Sequence, residues 1–363
     1  MRAKQRWAVV ALGVAVLASL PYAVAKLPAR HSNITAHTLL DRVLDSATVP
    51  FSGYAEADGG LGLPSIGAFD DLPELLGGQT NLRVWWRAPT DWRVDSLSVT
   101  GEQDAHQDSH GLWLWNYERN RATRVDQATA VAARLPRADD LAPPALARRL
   151  LSHAPAGEVT RIASARVAGT SAAGLRLTPQ QSTSTIAHVD VWALPATGLP
   201  VKVRVVSRSG GVVLSSTMLD LSTATPSAQH TAFEPVAGAR VDSDSVTDIV
   251  SAVNQFVRIT PPRALAGLTR TSSADDSVGV YGRGVTTLIA VPLPARVAYG
   301  IADRVSSIAR ADGAASTLSI GPLTLRLTAP SSDGGRWLLA GTITQATLKL
   351  AEPRLPAVAD GFR

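Results

Sequence analysis

The stretch NLRVWWRAPTDWRV, residues 81–94, holds three of the chain's eight tryptophans. Leu82, Val84 and Trp86 alternate with Arg83, Trp85 and Arg87. That two-residue period is a strand with one apolar side and one aromatic and basic side. Pro89 and Asp91 then turn the chain, and Trp92 and Val94 share a face of the next strand. Further on, HGLWLWNYERNRATRV, residues 110–125, repeats the pattern. Leu112 and Leu114 point one way, and Trp113, Trp115 and Tyr117 the other. Strands that are apolar on both sides are covered on both. The reading is an antiparallel β meander whose excess of large apolar side chains either fills an ordinary core or lines a cavity for a hydrophobic ligand. Its candidate lining is Leu82, Val84, Trp86, Trp92, Val94, Leu112 and Leu114. Trp85 is assigned to the opposite face, within cation–π reach of arginines.

Outward from this core the chain keeps a β rhythm. TAHTLLDRVLDSA, residues 35–47, puts Leu39, Leu40, Val43 and Leu44 on one helical stripe. VPFSGYAEA then reads as a strand. DLAPPALARRLLSHA, residues 140–154, is a helix with proline in its first turn. Four strand-like runs follow between residues 158 and 222, and FEPVAGARV, residues 233–241, reads as a closing edge strand because Pro235 is unsuited to a sheet centre. SDSVTDIVSAVNQF reads as a helix capped by serine or aspartate. The insertion at residues 58–79 is glycine-rich yet carries Leu61, Leu63, Ile66, Phe69, Leu72 and Leu75. It either rests on the core edge or closes over a pocket as a lid. Four units result: 1–25, a signal peptide or anchor; 33–245, the ligand-binding domain; 246–277, a helix and linker; 278–363, a small C-terminal unit of strands and helices.

The N-terminus, MRAKQRWAVVALGVAVLASLPYAVA, has a basic head, an apolar run and an Ala-Val-Ala step. This is an export signal, or an uncleaved anchor formed by residues 7–25. Both place the remainder outside the cytoplasm, in the periplasm or cell envelope. Without Arg2, Lys4 and Arg6, the 35 Lys and Arg become 32 against 30 acids. So balanced a charge gives no support for nucleic acid as a partner. There is no cysteine, which excludes disulfides, thiolate metal sites and a lipidated cysteine.

Enzyme motifs are missing from the sequence: there is no Gly-x-Ser-x-Gly and no His-Glu-x-x-His. Asp104, His106, Asp108 and His110 alternate and could face one metal ion, although Asp, Gln, Ser and His also suit a polar hairpin connection. No cofactor or catalytic residue is assigned.

Several of these segments occur in an order similar to that of the LolA/LolB/RseB/LppX-like superfamily of lipoprotein carriers and their relatives. NLRVWWRAP, DWRVDSL and HGLWLWNYERNRATRV resemble that family's aromatic-basic-proline strand, its alternating successor and its Trp-x-Tyr strand. FEPVAGARV resembles its late Phe-x-x-x-x-Gly-x-x-Val strand. The resemblance spans residues 35–241 and extends, more loosely, to the small C-terminal domain of RseB-type regulators. It implies a mainly β (α+β) fold: an unclosed antiparallel β half-barrel with helices on its concave side, plus a small C-terminal α/β domain. It also implies a non-catalytic binder of lipid or lipoprotein acyl chains, with an envelope membrane protein as a further partner. The sequence departs from the family where a carrier's latching arginine precedes the proline: Ala88 stands there, with Arg87 one step away on the opposite pleat.

Overall fold

The computed structural model describes residues 28–61, 76–98, 101–109, 111–126, 136–245, 257–273, 275–306 and 308–359, with Gly13, Val253 and Asn254 besides. The expected export segment, lid residues Leu63, Ile66, Phe69, Leu72 and Leu75, and His110 lie outside these residues, as does most of the helix expected after residue 245. No described helix is long and apolar enough to cross a membrane.

A single sheet of twelve strands dominates the molecule. Its strands are β1 (Phe51–Gly59), β2 (Gln79–Ala88), β3 (Asp91–Leu97), β4 (Glu102–Asp108), β5 (Gly111–Asn116), β6 (Arg121–Asp126), β7 (Val159–Val167), β8 (Thr170–Leu177), β9 (Ile186–Ala193), β10 (Pro200–Ser207), β11 (Val212–Ser222) and β12 (Arg240–Ser245). Their order is β12-β6-β5-β4-β3-β2-β1-β11-β10-β9-β8-β7. The two ends do not meet, so the sheet is an open, mainly antiparallel half-barrel. The one parallel pairing in this sheet joins β12 to β6.

Two helices cover the inner face. Helix α1 (Ala36–Asp45) starts at Thr35, whose hydroxyl accepts the Thr38 N–H. It buries Leu39, Leu40 and Val43. Helix α2 (Pro143–Leu151) opens on two prolines, which suit a first turn that has no intrahelical N–H bonds to lose. Leu146, Ala147 and Leu151 of α2 join the α1 residues over Leu175, Leu177, Val189, Val191 and Val203 of β8, β9 and β10. The turn from β9 to β10 carries Gly198 at φ +72°. A Cβ there would lie 2.2 Å from the Arg42 backbone, so only glycine lets this turn seat α1.

The expected strand at residues 233–241 is displaced. Residues 232–239 form no strand, and pairing begins only at Arg240. Pro235 has no N–H to give a ladder, and Gly238 takes φ +82°, which turns the chain. The edge position is as expected, since β12 ends the sheet. Residues 243–245, read as a helix cap, belong to β12 instead. A single helical turn, α3 (Ala228–Thr231), precedes the displaced segment.

Beyond the large sheet, β13 (Ala264–Leu265) and β14 (Leu268–Thr269) form a small hairpin. A second sheet follows, built from β15 (Gly279–Arg283), β16 (Thr286–Leu293), β17 (Arg310–Asp312), β18 (Ala315–Ile320), β19 (Leu323–Leu327) and β20 (Arg336–Gly341). Every pairing in it is antiparallel, so α+β describes this unit better than α/β. Helices α4 (Ala295–Ser306) and α5 (Gln345–Ala351) belong to it. Its centre buries Tyr281, Leu288, Trp337, Leu339 and Leu348. The two sheets touch: the Thr185 N–H donates to Thr342 O, the Thr344 N–H donates to Thr183 O, and Val285 joins the core beneath α1 and α2.

Candidate functional site

The alternation of β2 and β3 sorts the aromatic residues onto two faces. Cross-strand register sets Val84 opposite Val94 and Trp86 opposite Trp92. Val94 in turn faces Ala105, and Ala105 faces Leu114. Leu82, Val84, Trp92, Val94 and Leu112 are all buried in one inner cluster with Phe51, Ala55, Ala57 and Met218, while Trp86 and Leu114 pack against it half-buried. All seven expected lining residues therefore share one face. The small residues Ala55 and Ala57 of β1 keep its middle shallow. Leu141 and Ala142, just before α2, fill part of that hollow. The Ser216 hydroxyl donates to Leu141 O at 2.6 Å and pins the segment to the sheet.

One end of this face is aromatic. Trp86 stacks on Phe51 at 6.3 Å and on Trp92 at 5.6 Å, and its indole N–H donates to Ala47 O at 2.7 Å. The guanidinium of Arg148, from α2, lies 5.4 Å from the Trp86 ring centroid. Burial brings its pKa down to about 10. Sequence reading gave no reason to single out Arg148, because nothing local to α2 signals a contact with Trp86.

The outer face holds a second aromatic group. Trp85 stacks on His230 at 5.9 Å, with the Arg93 guanidinium 5.2 Å from its ring centroid. The cation–π contact expected there is present. Phe233 sits among His106, Trp113 and Trp115, at centroid distances of 4.5, 5.7 and 6.2 Å. The displaced segment after α3 thus plugs the outer aromatic patch. Arg87 is on this side too: it bonds Asp91 at 2.7 Å and donates to Pro226 O, and so makes no latch to the inner helices.

Beneath the plug, Asp95, Asp104 and His106 are buried, and one ligand atom from each lies within 4.8 Å of the others. These three, rather than the alternating set read from the sequence, are the described residues that could hold a metal ion. Asp104 and His106 are shared by both sets; Asp108 is not in the cluster. Arg93, however, donates to both oxygens of Asp95 at 2.5 and 2.9 Å and to Asp104 at 3.1 Å. It already supplies the positive charge, and a metal would have to displace it. Burial raises the Asp95 pKa to about 6; the nearby Asp104 charge adds to this and the Arg93 bond opposes it.

Leu61, the one expected lid residue among those described, packs half-buried on the cluster under α1 and α2. Its N–H donates to Leu76 O at 3.0 Å, so the insertion begins as an extension of the β1–β2 hairpin.

No protein-family profile matches the chain, and neither does any curated protein. Solved structures do. A crystal structure of MucB in complex with MucA(peri) aligns over 89% of this chain and 99% of its own, at 16% identity and a TM-score of 0.51. The fold is that of MucB. The Pseudomonas aeruginosa MucA/MucB complex aligns over 87% of this chain and 96% of its own, at 16% identity and a TM-score of 0.50. A LolA superfamily protein from Nitrosomonas europaea, NE2245, aligns over 52% of this chain and 92% of its own, at 12% identity and a TM-score of 0.23. The similarity to MucB covers 89% of this chain, which holds both the half-barrel and the second sheet.

Proposed function

We propose that this chain is an exported, non-catalytic binder of lipid or lipoprotein acyl chains, acting as a carrier or sensor in the bacterial envelope. The observation that carries this reading is the single apolar face formed by Leu82, Val84, Trp86, Trp92, Val94, Leu112 and Leu114 on an unclosed sheet. An acyl chain laid on that face gains about 0.8 kcal/mol per CH₂ buried. The contact is non-directional, so chains of different length and unsaturation fit.

The face is covered by the segment 138–151, so entry of a chain exchanges one set of apolar contacts for another. Binding is then reversible because the released contacts offset much of the gain. The segment held by Ser216 is the moving part on this reading. Titration with a fluorescent acyl probe tests the proposal: saturable uptake is expected in the wild type, and Val84→Asp with Leu112→Asp should lose it. Absence of uptake by folded wild-type protein overturns the reading.

A second reading is an RseB-like regulator of envelope stress signalling that acts through contact with an anti-sigma factor. It is supported by the similarity along nearly the whole chain to MucB, which has been solved with MucA(peri). Site-directed photocrosslinking from the surface of the second sheet, in intact envelopes, should capture one membrane protein. A chain that crosslinks only to lipid would leave this reading without support.

A further inference from the structure

Of the three arginines between residues 137 and 151, two are paired with carboxylates. Arg137 pairs with Asp139 at 2.8 Å and Arg149 with Asp140 at 3.3 Å. Arg148 pairs with no carboxylate among the described residues. Its polar contact is the Ser46 hydroxyl at 3.4 Å, and its guanidinium carbon lies over the Trp86 ring, 5.4 Å from the centroid. A guanidinium has five N–H donors in a fixed fork, so most of its bonding capacity remains uncommitted among these residues. Placing such a cation half out of water is unfavourable unless an anion offsets the lost hydration.

Its position gives that charge a use. Arg148 overhangs the Phe51, Trp86 and Trp92 stack, which is one end of the apolar face. A chain lying along Leu82 and Val84 would bring its terminal group to this end. We propose that Arg148 is the head-group residue of the site and that it selects acyl ligands bearing an oxyanion, a phosphate or a carboxylate, over neutral ones. The fork geometry suits two parallel N–H···O bonds to either group. The low local dielectric strengthens those bonds relative to water. This inference rests on the acyl-binding reading above and specifies its ligand class.

The test is competition against a bound fluorescent acyl probe by three ligands of one chain length: dodecyl phosphate, dodecanoate and dodecanol. Charge-assisted bonds to a partly buried guanidinium should favour at least one anion over dodecanol by about tenfold or more. Arg148→Gln should abolish that preference, so that neither anion competes better than dodecanol, and Arg148→Lys should keep part of it. Saturable probe binding by Arg148→Gln and an unchanged far-UV circular dichroism spectrum show that the variant is folded. The ratio of the phosphate to the carboxylate identifies the preferred oxyanion. Equal competition by all three ligands in the wild type overturns the inference, as does an anion preference that survives in Arg148→Gln. If neither the probe nor any ligand binds folded wild-type protein, the acyl-binding reading itself fails.

Discussion

Trp85 and Trp86 are adjacent in sequence and belong to different clusters. Trp86 stacks on Trp92 at 5.6 Å beneath α2, whereas Trp85 stacks on His230 at 5.9 Å on the far side of the sheet. One strand thus contributes to both the proposed ligand face and the plugged outer patch. Trp86→Ala removes two ring stacks, an indole hydrogen bond and the platform of Arg148, and should cost about 2–4 kcal/mol in chemical denaturation. Trp85→Ala should cost about 1 kcal/mol. Equal losses would contradict the two-cluster arrangement.

Ser216 holds the cover of the inner face through Leu141 O. Ser216→Ala should lower global stability by about 1 kcal/mol. Its specific signature is faster amide exchange confined to residues 138–151, read by hydrogen–deuterium exchange. Uniform acceleration across the sheet would instead mark Ser216 as a general core residue.

Asp95 should set an acid-side stability trend. Its folded pKa, near 6, is above its unfolded value of 3.8. Between these limits the folded state binds more protons than the unfolded state. This group's contribution to stability therefore falls as pH rises from about 4 to about 6, by at most about 3 kcal/mol. Asp95→Asn should flatten that slope in urea melts taken across the range. A slope that persists in the variant assigns it to another group.

Gly198→Ala should destabilise the protein twice over, through φ +72° and through a Cβ set against the Arg42 backbone. The expected cost is about 2 kcal/mol or more, with α1 detached first. A thermal melt within about 1 °C of wild type would show that the turn relaxes freely.

The faces of β2, β3 and β5 were legible because a strict two-residue period assigns every side chain once the strand is recognised. Helix α1 was legible for the same reason at period 3.6. The plug by Phe233 was not, because it depends on a chain crossing between residues far apart in sequence. Pro235 pointed to an edge strand, but its effect together with the turn at Gly238, which delays pairing to Arg240, shows only in the backbone. The parallel pairing of β12 with β6 joins segments more than a hundred residues apart, and no local pattern encodes it. Arg148 escaped notice because its significance lies in the lack of a paired carboxylate among the described residues, and that can be seen only when the neighbours are placed. The carboxylate cluster was half legible: Asp104 and His106 stood out, whereas Asp95 joins them only through strand register.

Acyl binding by the inner face should leave a trace in native mass spectrometry of the protein purified from its own host and released without detergent. Discrete adducts whose masses match acylated lipid or peptide are expected, and they should be lost from a variant carrying both Val84→Asp and Leu112→Asp. Folded wild-type protein that is consistently free of such adducts, and that takes up none from added lipid, would contradict it.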